Sequence, residues 1–64
     1  TMVKFRDENG RAVCFNPKEV TRVWGCGGTL EGKATVVRFA DGDTRIVKGN
    51  VNRVGPRIMR LQTK

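Results

Sequence analysis

Residues 34–48 read ATVVRFADGDTRIVK, two apolar-rich runs joined by Asp41-Gly42, and this stretch decides the fold. Asp-Gly tolerates the positive φ angles of a tight hairpin turn, and the Val, Ile, Phe and Thr residues on either side favour extended backbone. Pairing outward from a two-residue turn sets Phe39 against Thr44, Arg38 against Arg45, Val37 against Ile46 and Val36 against Val47. Phe39, Val37 and Ile46 then form the core face. In that register Arg38 and Arg45 are direct cross-strand neighbours, and like charges so placed destabilise a sheet. Either solvent, splayed rotamers and Asp43 relieve the repulsion, or both guanidiniums hold an external anion.

Toward the N-terminus a second hairpin is expected. Val3 to Arg6 alternates apolar and basic residues, Val13 and Phe15 follow, and Glu8-Asn9-Gly10 lies between them as a turn. A two-residue Asn9-Gly10 turn would place Val13 and Phe15 on the face of Lys4 and Arg6 and split the apolar set. A three-residue loop with Gly10 in the left-handed conformation pairs Phe5 with Val13 and Val3 with Phe15, which gathers the apolar residues on one face. That register is the predicted one.

Asn16-Pro17-Lys18-Glu19 then breaks the chain, because proline has no N–H to give a ladder, and Val20 to Trp24 reads as a further strand. Val20, Arg22 and Trp24 share one side of it and Thr21 and Val23 the other, so periodicity leaves the buried side open. Residues 25–32, GCGGTLEG, hold four glycines and read as a mobile loop between two strands. After Gly49, Asn50 is a good N-cap, and Val51, Val54, Ile58 and Leu61 recur at steps of three and four, as the buried stripe of a helix does. Gly55-Pro56 interrupts that stripe, which predicts a short turn at 51–54 and a helix from about 56 to 62. The fold class that follows is α+β and mainly β. About five antiparallel strands form two hairpins plus a connecting strand, with one C-terminal helix. The expected core is Val3, Phe5, Val13, Phe15, Val23, Val37, Phe39, Ile46, Val54, Ile58 and Leu61.

The chain has 64 residues, a single domain over 2–64 with Met2 read as the natural start and Thr1 as a leftover ahead of it. So small a core leaves a thin stability margin, which self-association as a homo-oligomer would help. Lys and Arg number 13 against 6 Asp and Glu, a net charge of +7, and there is no His, Ser or Tyr. Conventional His- or Ser-based catalysis is thereby excluded, no constellation of carboxylates stands out, and no catalytic residue or cofactor is assigned. Cys14 and Cys26 without His do not make a tetrahedral zinc site, so no metal is expected. A cytoplasmic address is expected, since no apolar run suits a signal peptide or an integral membrane span. Two reduced thiols are the expected state there, with Cys26 in its glycine-rich setting the more exposed and neither strongly nucleophilic.

The charge is unevenly spread. Through residue 43 the balance is only +1, and from Thr44 onward Arg45, Lys48, Arg53, Arg57, Arg60 and Lys64 stand without a single carboxylate side chain, giving +6. On an uninterrupted helix Arg53, Arg57, Arg60 and Lys64 project within roughly 60° of one another, a basic ridge beside the apolar stripe. A polyanion would relieve the self-repulsion of such a ridge by releasing its own condensed counterions. The leading expectation is a non-catalytic module contacting nucleic-acid phosphates through this ridge together with Lys48, with Arg38 and Arg45 as a second cluster. The alternative is a protein-interaction module, either a motility accessory or a small inhibitor docking on an acidic partner surface. Trp24 and the 25–32 loop are then the contact, although Trp24 equally suits a rim position closing the small core.

The order Asn9-Gly10, Phe15-Asn16-Pro17, Val20 and Val23, Thr35-Val36-Val37, Asp41-Gly42, Val47-Lys48 and Val51/Val54/Ile58 resembles the small flagellar FlbD/SwrD family over about residues 9–58. This chain departs from it in the glycine-rich insert at 25–32, in Gly55-Pro56 and in its strongly basic C-terminus. The resemblance implies a non-enzymatic motility accessory that works through protein contacts, with no catalytic residues to carry over.

Overall fold

The structure, a computed structural model, describes residues 2–63. Five antiparallel strands form two sheets followed by one helix: β1 (Val3–Arg6) pairs with β2 (Ala12–Phe15), and β3 (Val20–Gly25), β4 (Ala34–Phe39) and β5 (Thr44–Lys48) form a sheet in that order. The helix α1 runs Val51–Gln62. The fold is therefore α+β and mainly β, as the sequence patterns require.

The first hairpin has the register that gathers its apolar residues, with Val3 opposite Phe15 and Phe5 opposite Val13. Its three-residue loop is closed by Asp7 N–H donating to Arg11 O at 2.8 Å, and Gly10 has φ +81°. The second hairpin uses the same device, which corrects the expected two-residue turn. Phe39 N–H donates to Asp43 O at 2.9 Å across the loop 40–42, with Gly42 at φ +90°. That extra loop residue shifts every pair by one. Arg38 faces Thr44, Val37 faces Arg45, Val36 faces Ile46 and Thr35 faces Val47. Arg38 and Arg45 consequently lie on opposite sides of the sheet, and the predicted pairing of the two does not occur. Ile46 moves out of the expected core and Val47 takes its place, fully buried with Val37 and Thr35.

A β-bulge settles which side of β3 is buried. Val20 pairs with Phe39 and Arg22 with Arg38, leaving Thr21 as the extra residue, its hydroxyl donating to Arg38 O at 3.3 Å. The bulge brings Val20 and Val23 to the same inner side, since Val23 faces Val37. Onto this inner side pack the first hairpin and α1, and Val3, Phe5, Phe15, Val20, Val37, Val47, Val54 and Ile58 form the core, with Val13, Val23, Phe39 and Leu61 at its margin. Phe5 stacks on Phe15 at 5.7 Å between ring centroids, and Phe15 meets Phe39 edge-on at 5.2 Å. Aromatic contacts of this geometry contribute beyond their buried area.

The helix is continuous through Gly55-Pro56, contrary to the predicted break. Proline at that position removes the partner of one carbonyl only, that of Asn52, and both Asn52 and Pro56 are exposed, so water can take the place of the lost donor. Both helix ends are tied to the body of the protein. Asn50 Oδ1 accepts from Asn52 N–H at 2.8 Å as the N-cap while its Nδ2 donates to Gly32 O at 3.2 Å, and Gln62 Nε2 donates to Val20 O at 2.8 Å and Pro17 O at 3.0 Å. The 25–32 segment is also more ordered than a simple loop. It carries a 3-10 turn at Gly28–Leu30, and Cys26 N–H extends the ladder to Ala34 O at 3.1 Å. That placement buries Cys26 and leaves Cys14 as the exposed thiol, reversing the expected order; both are free.

Candidate functional site

Folding sorts the charged residues of the C-terminal third into separate places. Lys48 ends β5, Gly49 turns the chain with φ +120°, and α1 then carries Arg53 and Arg57 back beside Lys48. β1 packs next to β5 and brings Arg6 and Phe5 to the same end. Arg6, Lys48, Arg53 and Arg57, with Phe5, Gly49 and Val54, line an open depression of about 440 Å³. Four cations converge on it, and its described lining contains no carboxylate side chain.

Two of the four cations are positioned by interactions visible in the structure. The Arg57 guanidinium lies over the Phe5 ring, 4.8 Å from its centroid, an arrangement that holds the charge at the surface while covering a core aromatic. Arg6 Nη1 donates to Gly10 O at 2.8 Å. Thr35, fully buried, donates from Oγ1 to Gly49 O at 2.8 Å, and Gly49 N–H donates to Lys33 O at 2.8 Å. Those bonds fix the junction between Lys48 and Arg53.

The remaining predicted residues do not join this depression. Arg60 is exposed further along α1, and Lys64 lies outside the described residues. Arg45 instead lines a separate depression together with Arg11, Asp7, Glu19, Asp41 and Asp43. Arg38 is on the outer side of the three-stranded sheet, opposite Arg22. Trp24 is on that outer side too, 36% exposed, with the Arg22 guanidinium 5.4 Å from its ring centroid. The expected second cluster of Arg38 with Arg45 is thus replaced by Arg38 with Arg22.

Arg6 and Arg22 are the site residues that sequence reasoning missed. In sequence Lys4 and Arg6 are balanced by the adjacent Asp7 and Glu8, and only packing of β1 beside β5 brings Arg6 to the helix. Arg22 could be recognised only once the bulge at Thr21 had set its side of the sheet. Among the described residues no cluster of His, Cys, Asp and Glu suits a metal ion, and no helix is long and apolar enough to cross a membrane. No known family model matches the chain, and neither the curated proteins nor the solved structures contain a match to it.

Proposed function

We propose that this chain is a non-catalytic module that binds nucleic-acid phosphates through the basic end formed by Arg6, Lys48, Arg53 and Arg57, with Arg60 extending it along α1. The observation that carries the reading is the convergence of four cations on one depression lined by no carboxylate side chain. Holding like charges together disfavours the compact state, and phosphates neutralise them while releasing their own counterions. Contacts of this kind position a nucleic acid without reading its sequence.

The test is a salt titration of binding to short DNA and RNA. If each of the four cations meets one phosphate, the slope of log K against log salt is about −3.6 on duplex DNA and about −2.8 on a single strand. A Lys48→Glu/Arg53→Glu pair should shrink the duplex slope by about 2 and weaken binding to all sequences alike. Both side chains are exposed, so the fold is retained, whereas Arg57 is left intact because it covers Phe5. No binding at about 50 mM salt, or binding indifferent to the pair, would refute the reading.

A second reading is the protein-interaction module that the FlbD/SwrD resemblance implies. It is favoured by Trp24, a large aromatic residue exposed on the sheet's outer side. An acidic polypeptide that binds as tightly as nucleic acid of equal charge in the same titration would select it.

A further inference from the structure

The outer side of the three-stranded sheet carries a second feature. Cross-strand pairing aligns Trp24 on β3 with Val36 on β4 and Ile46 on β5, an apolar row across the sheet. Val36 and Ile46 are half-buried and Trp24 is exposed. The neighbouring row is Arg22, Arg38 and Thr44, and on the other flank Lys48 follows Ile46 on the same side of β5. The outward positions of these strands include no Asp or Glu. Arg22 and Arg38 are paired residues in register, and no carboxylate shares their row to relieve them.

The charge pattern selects the occupant. A second copy of the chain docking by this side would set arginines against arginines. A duplex would offer phosphates, but its base faces are already stacked on one another and would leave the apolar row uncovered. A single strand supplies both parts, a flat base that stacks on the Trp24 ring beside Val36 and Ile46 in place of the Arg22 guanidinium lying 5.4 Å from the ring centroid, and phosphates for Arg38 and the Arg22 so released. We propose that the outer side of the β3–β4–β5 sheet is a stacking platform for single-stranded nucleic acid, with Trp24 as its base-stacking residue. The proposal rests on the nucleic-acid reading above and names the strandedness of its ligand. Lys48 connects the two regions, since it stands on the outer side of β5 and also lines the basic depression. A strand crossing the platform can therefore continue onto Arg53 and Arg57.

Trp24 is the chain's only tryptophan, and there is no tyrosine, so its fluorescence reports this one position. The experiment titrates the full chain with a single-stranded oligonucleotide, the matching duplex and polyglutamate. The expected result is quenching of Trp24 by the single strand, with tighter binding than to the duplex. Trp24→Ala should lower single-strand affinity by about 5- to 150-fold, the range for loss of one stacked base, and Trp24→Phe should restore most of it. The salt slope should stay unchanged in Trp24→Ala, because no phosphate contact is removed, and should shrink in Arg22→Ala/Arg38→Ala. The arginine pair also serves as an independent test should the tryptophan variant fold poorly. Duplex and single strand bound equally, with Trp24→Ala neutral for both and Lys48→Glu/Arg53→Glu still weakening both, overturns the platform and leaves the phosphate reading standing. No binding of either nucleic acid overturns both. Equal quenching by polyglutamate overturns the platform in favour of an acidic protein partner.

Discussion

Replacing Gly49 with alanine probes what holds the basic end together. Gly49 joins β5 to α1 with φ +120°, beyond the small left-handed region open to other residues. An alanine there carries about 1–3 kcal/mol of backbone strain. Its Cβ would also lie 3.1 Å from Val54 Cγ2, and Val54 is 4% exposed on the first turn of the helix. Neither partner can move away freely, because Gly49 is bonded through its N–H to Lys33 and through its carbonyl to Thr35. Overpacking of this kind adds about 1–3 kcal/mol, so the total loss is roughly 2–6 kcal/mol. A domain of 64 residues has a total stability of only about 3–10 kcal/mol. Gly10→Ala is the control, since Gly10 has φ +81° with nothing within 4 Å of an added Cβ. It should lose about 1–2 kcal/mol, from backbone strain alone. In thermal unfolding followed by circular dichroism, Gly49→Ala should lower Tm by about 10–45 °C and Gly10→Ala by about 5–15 °C. Equal losses in the two variants would refute the claim that the junction is pinned against Val54. The fixed placement of Lys48 relative to Arg53 would fall with it.

Two other substitutions test neighbouring parts of the fold. Gly55→Ala adds a Cβ next to Pro56, whose ring disfavours helical backbone at a preceding residue that carries one, so the usual helical gain of about 0.5–1 kcal/mol over glycine should be cancelled or reversed and Tm should stay level or fall; a rise of about 4–8 °C would show that the clash with Pro56 is absent. Thr35→Val keeps the buried shape but leaves Gly49 O without its 2.8 Å donor, and should lower the urea stability by about 1–3 kcal/mol. A loss below about 0.5 kcal/mol would show that this carbonyl has another partner.

How much of the fold could be read from sequence depended on whether a one-residue slip would have been noticed. In the first hairpin it would: Val3 and Phe5 alternate with Lys4 and Arg6, so only one register gathers the apolar residues. In the second it would not, because Val36-Val37 and Ile46-Val47 place apolar residues on both sides of each strand. Asp41-Gly42 serves a two-residue turn and a three-residue loop equally well, so the local dipeptide did not decide. The bulge at Thr21 left no pattern of its own. Helix position was legible from Asn50 and the Val54/Ile58 stripe, while the effect of Pro56 depended on whether the orphaned Asn52 carbonyl faced water. Arg53 and Arg57 could be nominated as neighbours because helix geometry alone places them together. Arg6 could not, because its approach depends on how two separate sheets pack.

A net charge summed along the chain differs from the charge that a ligand meets. Arg45 belongs to the carboxylate-free run that begins at Thr44, yet the fold places it in a depression with Asp7, Glu19, Asp41 and Asp43. Arg38 belongs to the nearly neutral part of the sequence, yet the fold sets it beside Arg22 on a side whose strands present no acidic residue. The result is a molecule with two separate depressions, one lined by charges of both signs and one by cations alone. For the proposed polyanion ligand, such a distribution should favour encounter at the cationic depression, with an association rate that falls as salt rises. Removing Arg45 would therefore disturb the mixed-charge depression and leave the cationic one intact, whereas removing Arg6, from the opposite end of the sequence, would weaken the cationic depression directly.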